Sequence, residues 1–198
     1  MVDVCTRSLM VGFLLLLLLS GSFCSLLKAN EISLYSKVFK GPSPLWYEPI
    51  MIQHCQYLMS SYKAVTGKDL ISSSATGIKL AQELFMHPTC VILSHGIQDD
   101  SEGPVLNYGN ALAMQLWKAA WEEFTSMPSR YTAEAPIREE RESLLKKVTE
   151  NGFIDNYSGI RISLDSTKFR IKEAIVWNIV IDNIKIGQAA TFNSWEKL

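Results

Sequence analysis

Apolar residues recur along the chain with two different spacings, which predict an alternation of helices and strands. Helical spacing begins after Pro49 and stops at Gly67, and a second, shorter helix is ended by Pro88. A short apolar run between Pro88 and Gly96 predicts a buried strand, and residues 105–108 predict a second strand that pairs with it as a hairpin. The first two helices are therefore expected to cap a sheet that begins with this hairpin.

Two further helices are predicted in the middle of the chain. Asn110 is suited to the N-cap of the first, which Pro128 ends. Its apolar stripe comprises Ala113, Leu116, Trp117, Ala120, Trp121 and Phe124. The second opens at Pro136 with acidic residues and ends with basic residues before Asn151 and Gly152, an order that complements the helix dipole. Its apolar face comprises Ile137, Leu144, Leu145 and Val148.

The remainder of the chain predicts three strands in an antiparallel meander, because the links between them are short. The strands cover residues 153–163, 168–181 and 185–192. In the first strand the apolar phase changes around Gly159, which predicts a bulge. Alternation in the second strand predicts one shared face for a set of five apolar residues. These are Phe169, Ile171, Ile175, Trp177 and Ile179.

The N-terminal segment differs in composition from the rest of the chain. Residues 8–27 carry no charge, and the small residues around Ser22 predict cleavage there, so residues 1–22 are expected to be a signal peptide. The alternative is an uncleaved membrane anchor, because about 20 apolar residues can span a bilayer. Residues 23–45 are poor in acids and contain several Ser and Lys, as in a transit segment or a linker. The protein is therefore expected to enter the secretory pathway or a plastid, and to stay membrane-anchored if the signal is not cleaved.

Charge and cysteine content narrow the classes of function. The chain has 198 residues, a formal net charge of −1 and no run of basic residues, which argues against nucleic-acid binding. Of its four cysteines, Cys55 and Cys90 belong to the part expected to fold, and neither has a CxxC partner. Both are predicted to be small buried apolar residues. A disulfide between them is the alternative for an extracellular domain.

Several motifs are similar to those of one known family. They are PSRYTAE (128–134) with REER (138–141), and VWN (176–178) with GQAATF (187–192). Over residues 46–195 the chain resembles the free-standing MEKHLA-domain proteins of cyanobacteria, algae and plants. The resemblance implies a PAS-like α+β fold, with a five-stranded antiparallel sheet and short helices over one face in residues 90–198. Residues 46–89 are expected to form an N-terminal helical cap.

The resemblance also implies a class of function. PAS-like domains act as sensory or protein-interaction modules, so a non-catalytic module of this type is expected, with a small molecule bound between helices and sheet and a homodimer as its assembly. The resemblance implies no catalytic residues, and the cofactor is unknown. The homeodomain and leucine zipper of related plant transcription factors are missing from the sequence, so DNA binding is not implied. A small enzyme using the same cavity and a structural subunit of a membrane-associated complex are the alternatives.

Large rings and an anchoring cation are suited to hold an aromatic ligand. The candidate ligand-binding residues are Tyr108, Trp117, Trp121, Phe124, Arg130, Tyr131 and Trp177. The alternative for the rings is core packing. Glu173 lies on the apolar phase of its strand, so a structural pair of Arg130 with Glu173 is the alternative to a ligand role for Arg130. Arg138 and Arg141 lie among acidic residues and are predicted to form solvated ion pairs.

The histidines are weaker candidates for chemistry. His95 is a weak candidate metal ligand, and the alternative is a hydrogen bond to the backbone of the following turn. His54 lies on an apolar helix stripe and is predicted to be a core histidine. Ser94, His95 and Asp99 are residue types of a hydrolase triad, but side chains of neighbouring strand residues point to opposite faces, which excludes that arrangement.

Overall fold

The computed structural model describes residue 46 and residues 48–97, 102–133 and 138–198. The predicted signal peptide or anchor and the transit-like segment lie outside these ranges. None of the helices within them combines the length and the apolar character needed to cross a bilayer.

The helices and strands of the described residues follow the predicted order. On the N-terminal side are α1 (Pro49–Thr66), α2 (Gly77–Phe85), β1 (Val91–Gly96), β2 (Leu106–Gly109), α3 (Ala111–Trp117), α4 (Trp121–Ser126) and a 3-10 helix (Ser129–Thr132). They are followed by α5 (Arg138–Asn151), β3 (Phe153–Ile162), β4 (Lys168–Ile181), β5 (Ile184–Phe192) and β6 (Ser194–Lys197).

The strands form one antiparallel sheet in the order β2-β1-β5-β4-β3. The hairpin of β1 with β2 and the meander of β3, β4 and β5 confirm the sequence-based prediction. The short β6 was not predicted and pairs with the first half of β4. Because β5 lies between β1 and β4, the hairpin and the meander join into a single sheet.

Helices cover both faces of this sheet. On one face, α1 packs against β1 and β4: His54 contacts Ser94, and the indole Nε1 of Trp177 donates to Ser61 Oγ at 3.0 Å. On the other face, α5 is hydrogen-bonded to the sheet, and α3 and α4 pack over a buried apolar cluster. Its members are Val91, Leu106, Ala113, Trp117, Ala119, Phe124, Phe169, Ile171, Ala174 and Phe192. The structure is therefore a PAS-like α+β domain in which α1 lies on the sheet face opposite α3 and α5, and α2 contacts α4 through Phe85 and Trp121.

A bulge in β4 changes which side chains face each layer. Glu173 has a φ of 52°, and β4 carries one more residue than β3 between the pairs Ile171–Gly159 and Ala174–Tyr157. As a result, Phe169 and Ile171 belong to the cluster under α3, whereas Trp177 packs against α1. The prediction that the five apolar residues of this strand share one face is wrong, because the added residue shifts the alternation.

The single helix predicted between Asn110 and Pro128 is two helices. Asn110 caps α3 as predicted, with its side chain accepting from the amide of Ala113. Lys118 then adopts the left-handed conformation, with φ 52° and ψ 42°, and ends α3. The Glu123 carboxylate accepts from the amide of Ala120 at 3.1 Å, at the start of α4.

Candidate functional site

A cleft and a small cavity lie next to each other between α5 and the sheet. The cleft has a volume of about 670 Å³, and the cavity beside it has about 50 Å³. His95, Arg141, Leu145 and Gln188 line both of them. We call these four residues the neck, because they are shared by the cavity and the cleft.

A row of polar side chains crosses three adjacent strands beneath α5. His95, Gln188 and Asn178 are direct neighbours on β1, β5 and β4. Gln188 Nε2 donates to Asn178 Oδ1 at 3.0 Å and to the carbonyl oxygen of Leu145 at 3.1 Å. Asn178 Nδ2 donates to the carbonyl oxygen of Val148 at 2.9 Å. The row therefore tethers the C-terminal half of α5 to the middle of the sheet.

His95 is a neutral, buried side chain at the neck. Its Nδ1 lies 2.7 Å from the carbonyl oxygen of Gly96, so Nδ1 carries the proton and donates, which confirms the predicted backbone hydrogen bond. Nε2 is then an acceptor, and it has no hydrogen-bond partner among the described residues. Burial, aided by the charges of Arg141 and Lys185, lowers the pKa of His95 to about 4.

Two buried arginines lie beside the cavity. Arg161 is 7% exposed and donates to the carbonyl oxygen of Ile160 at 2.8 Å and to the Tyr157 hydroxyl at 3.1 Å. Arg141 is 8% exposed, and within the described residues it forms neither a hydrogen bond nor an ion pair, so the solvated pair predicted for it is wrong. Burial and the charge of Arg161 lower the pKa of Arg141 to about 9. The wall of the cavity therefore contains two arginine side chains.

The candidate aromatic residues are divided between the two faces of the sheet. Trp117 lines the cavity, and Phe124 packs against it with ring centroids 5.9 Å apart. Tyr108 and Trp121 pack against each other at 6.2 Å, and Tyr108 contacts His54 of α1 on the opposite face. Trp177 also lies on that face. The candidate aromatic residues therefore do not line one cavity together, because the bulge in β4 and the break at Lys118 separate them.

The remaining candidates lie at the outer cleft or away from it. Arg130 lines the cleft, with Nη2 4.0 Å from Oε1 of Glu142. Tyr131 is exposed, and its hydroxyl donates to the carboxylate of Glu102. Glu173 is exposed at the bulge, so the predicted Arg130–Glu173 pair does not form. The reason is again the shift of alternation, which turns the Glu173 side chain out of the core.

Ser94 and His95 lie on opposite faces of β1, as predicted, and Asp99 lies outside the described residues. Ser94 Oγ donates to Asn107 Oδ1 at 2.7 Å and lies 2.9 Å from His54 Nε2. Because the hydroxyl proton is directed at Asn107, His54 is the donor to Ser94 and does not act as its base. The pair is part of the core, which confirms the prediction for His54.

The described residues contain no group of three or more His, Cys, Asp and Glu side chains that could hold a metal ion, so the geometry adds no support to His95 as a ligand. His87 Nδ1 instead accepts from the amide of Cys90 at 3.1 Å. Cys55 and Cys90 are buried free thiols, as predicted, and Cys90 Sγ lies 2.8 Å from Thr191 Oγ1.

Sequence reasoning missed the polar side chains of the neck. Arg141 precedes Leu144, Leu145 and Val148 by three, four and seven residues, so it shares the apolar face of α5. Gln188 lies in an otherwise apolar strand segment, GQAATF. In both cases a polar residue occupies a position where the periodicity of the helix or strand predicts a buried apolar one, and this pattern could have identified it.

The sheet order, the short helices between β2 and β3 and the cavity between helices and sheet define a domain of the PAS class. The chain belongs to the MEKHLA family, since the model of the MEKHLA domain matches residues 52–197. No curated protein matches the chain.

The solved structures that resemble this chain include two PAS domains and a histidine kinase. The PAS domain of a protein from Colwellia psychrerythraea is 13% identical, with a TM-score of 0.50 over 59% of this chain and 96% of that one. An ethanol complex of the PAS domain of a LuxR-family transcriptional regulator from Burkholderia thailandensis is 11% identical, with a TM-score of 0.40 over 59% and 95% of the two chains. A blue-light activated histidine kinase from Erythrobacter litoralis is 13% identical, with a TM-score of 0.45 over 58% of this chain and 36% of the kinase. The first of these supports the fold.

Proposed function

We propose that this chain is a non-catalytic sensory module of PAS type. A small molecule enters the cleft between α5 and the sheet, reaches the neck, and changes how α5 packs on the polar row. The observation that carries the proposal is the neck itself, which joins a cleft to a cavity through residues of α5, β1 and β5.

Volume supports the cleft as the main binding region. The cavity of about 50 Å³ is far smaller than a usual small-molecule site. The cleft of about 670 Å³ is within the range of about 300–1,000 Å³ that is usual for small-molecule sites. A ligand would therefore place one small group at the neck and its remaining atoms in the cleft.

The attachment of α5 supports a switching role. Its C-terminal half is held to the sheet by the amides of Asn178 and Gln188. Net contributions of hydrogen bonds of this kind are about 1 kcal/mol each, so a ligand of moderate affinity is sufficient to change the docking of α5.

Native mass spectrometry of the protein purified without denaturant tests this function. We expect a mass above that of the polypeptide. We also expect amide exchange in α5 to become faster after dialysis has removed the bound molecule. A mass equal to the bare chain, together with unchanged exchange in α5 after incubation with a metabolite extract, would remove the sensory proposal. The same spectrum gives the mature N-terminus, and a chain that starts at Phe23 would support cleavage after Ser22.

A homodimer through the N-terminal helices is part of the same proposal. Two large apolar side chains at α2, Ile78 and Met86, are more than half exposed, at 53% and 56%. Light scattering of the wild type and of Ile78→Lys tests it, with Lys79→Ala as the neighbouring control. A monomeric wild type, or a dimer that survives Ile78→Lys, would contradict this arrangement.

A further inference from the structure

Two fully buried polar atoms in the wall of the cavity lack a hydrogen-bond partner among the described residues, Nε2 of His95 and the indole Nε1 of Trp117. The guanidinium of Arg141, a residue that is 8% exposed, lies in the same wall and has no hydrogen bond to a described residue. Buried polar groups in folded proteins nearly always have partners, and each exception requires an explanation. His95 and Trp117 are the two residues with such exceptions that line this cavity.

The charge around this cavity is unbalanced. Arg141 and Arg161 both line it, and no Asp or Glu is among the described lining residues. At the cleft the cations Arg130, Lys146 and Lys185 outnumber the two carboxylates, which belong to Glu102 and Glu142, and Glu142 is mainly exposed. Burying a guanidinium without a counter-charge is costly, so the arrangement is explained if an anion binds it.

We propose that Arg141, Arg161 and His95 bind the oxyanion of a small molecule, a carboxylate or a phosphate group, at the neck of the cavity. The inference rests on the proposed sensory function and names the class of ligand for that site. The guanidinium of Arg141 offers the fork geometry that binds two oxygens of such a group. The remainder of the molecule lies in the outer cleft, where Arg130 is within reach of a second anionic group.

His95 contributes through a change of protonation. In the neutral ring Nε2 is an acceptor, and an anion beside it favours the protonated ring, which donates instead. Binding is therefore expected to take up a proton, and the affinity rises as the pH falls from 8 to 6. The groups that face His95 from the neighbouring elements, Arg141 and Lys185, oppose its protonation until the anion is present.

Thermal unfolding in the presence of defined anions tests the proposal. Sodium phosphate and sodium succinate are titrated at constant ionic strength, with sodium chloride as the reference. We expect a saturable rise of Tm with phosphate, succinate or both, because a ligand that binds only the folded state stabilises it. A response to one of the two identifies the oxyanion. Equal curves for all three salts would overturn the inference.

Arg141→Met separates a binding role from a structural one. Without added anion we expect its Tm to equal or exceed that of the wild type, because replacing a buried unpaired charge by an apolar side chain of similar length is neutral or stabilising. With anion we expect roughly 10- to 100-fold weaker binding, the usual effect of losing a charge-assisted hydrogen bond. A Tm several degrees lower without anion would contradict the inference, since it would show that Arg141 is held by the protein itself.

The matched control is Arg170→Met. Arg170 lies on β4, is half exposed and pairs with Glu196 at 3.1 Å, away from the neck. The variant removes the same charge, and we expect it to keep the response to anion. An equal loss in both variants would show a nonspecific effect of net charge and overturn the site.

The two proposals fail in different ways. Native mass spectrometry could find a neutral ligand while phosphate and succinate change Tm no more than sodium chloride does. The oxyanion inference would then be wrong, and the sensory function would stand. If no ligand is found and no anion shifts Tm, both are wrong.

Discussion

The side chains of Gln188 and Asn178 form a hydrogen-bonded pair across β5 and β4, at 3.0 Å, and each also donates to a carbonyl oxygen of α5. Both amides are buried, at 3% and 5% exposure. The pair therefore connects the helix above the cleft to the sheet that forms its floor, and it is the attachment that a bound ligand would strengthen or release.

Asn178→Ala removes one member of this pair. We expect a loss of about 1–3 kcal/mol in the free energy of unfolding, because Gln188 and the carbonyl oxygen of Val148 lose a partner. Amide exchange in α5 should rise more than exchange in α1. Urea unfolding and exchange measurements check this, with the exposed Asn193→Ala as the control. Equal exchange in both helices would show that the pair does not tether α5.

The order of helices and strands could be predicted because short-range sequence features determine where each of them begins and ends. Asn110 caps the N-terminus of α3 and Gly67 ends α1, as predicted, and each acts through contacts within one helical turn. The motifs quoted above placed the chain in its family, and the family implies the sheet order. Order and family do not determine which face of the sheet each side chain occupies.

The faces could not be predicted because two backbone irregularities have no strong local signal. Glu173 and Lys118 both have a φ of 52°, a conformation that sequence patterns associate with Gly and Asn. The first shifts the alternation of β4, and the second splits one expected helix into two. Because of these two irregularities, Trp177 and Trp121 lie apart from Trp117. Of the candidate aromatic residues, Trp117 is the one that lines the cavity.

Acid is expected to destabilise the fold through its two buried histidines. Burial lowers the pKa of His54 and His95 from 6.5 to about 4. Between these values the unfolded chain binds more protons than the folded one, so stability rises with pH and is lost as the pH falls from 6.5 to 4. Each histidine contributes a slope of up to about 1.4 kcal/mol per pH unit.

His95→Asn checks this slope. Asn can still donate to the carbonyl oxygen of Gly96 but does not titrate. The number of protons taken up on unfolding, obtained from the pH dependence of urea unfolding, should therefore fall by up to about one. His87→Asn is the control, because His87 is only partly buried and should contribute less. The idea fails if both variants keep the slope of the wild type.

Trp177→Phe tests the contact between α1 and the sheet. The change removes the bond from Nε1 to Ser61 Oγ and part of the contact with Tyr62, whose ring centroid lies 5.0 Å away. We expect a cost of about 1–3 kcal/mol in urea unfolding. Trp195→Phe, at an edge strand and 36% exposed, should cost less than about 0.5 kcal/mol. Equal costs would mean that Trp177 is not a packing residue between the layers.

The thiol of Cys55 reports on the same contact by its reactivity. Burial raises its pKa to about 12, and its neighbour is the hydroxyl of Tyr108 beneath α1. At pH 8 the thiolate population is therefore roughly 1,000-fold lower than for an exposed cysteine, and labelling with iodoacetamide should slow at least as much.

Peptide mapping after timed labelling separates Cys55 from the two N-terminal cysteines and from Cys90, whose pKa is also raised by burial. In urea all should react at similar rates. If Cys55 reacts as fast in the native protein as in urea while Cys90 stays protected, α1 leaves the sheet on the timescale of labelling, and the cap is then a moving part of the domain.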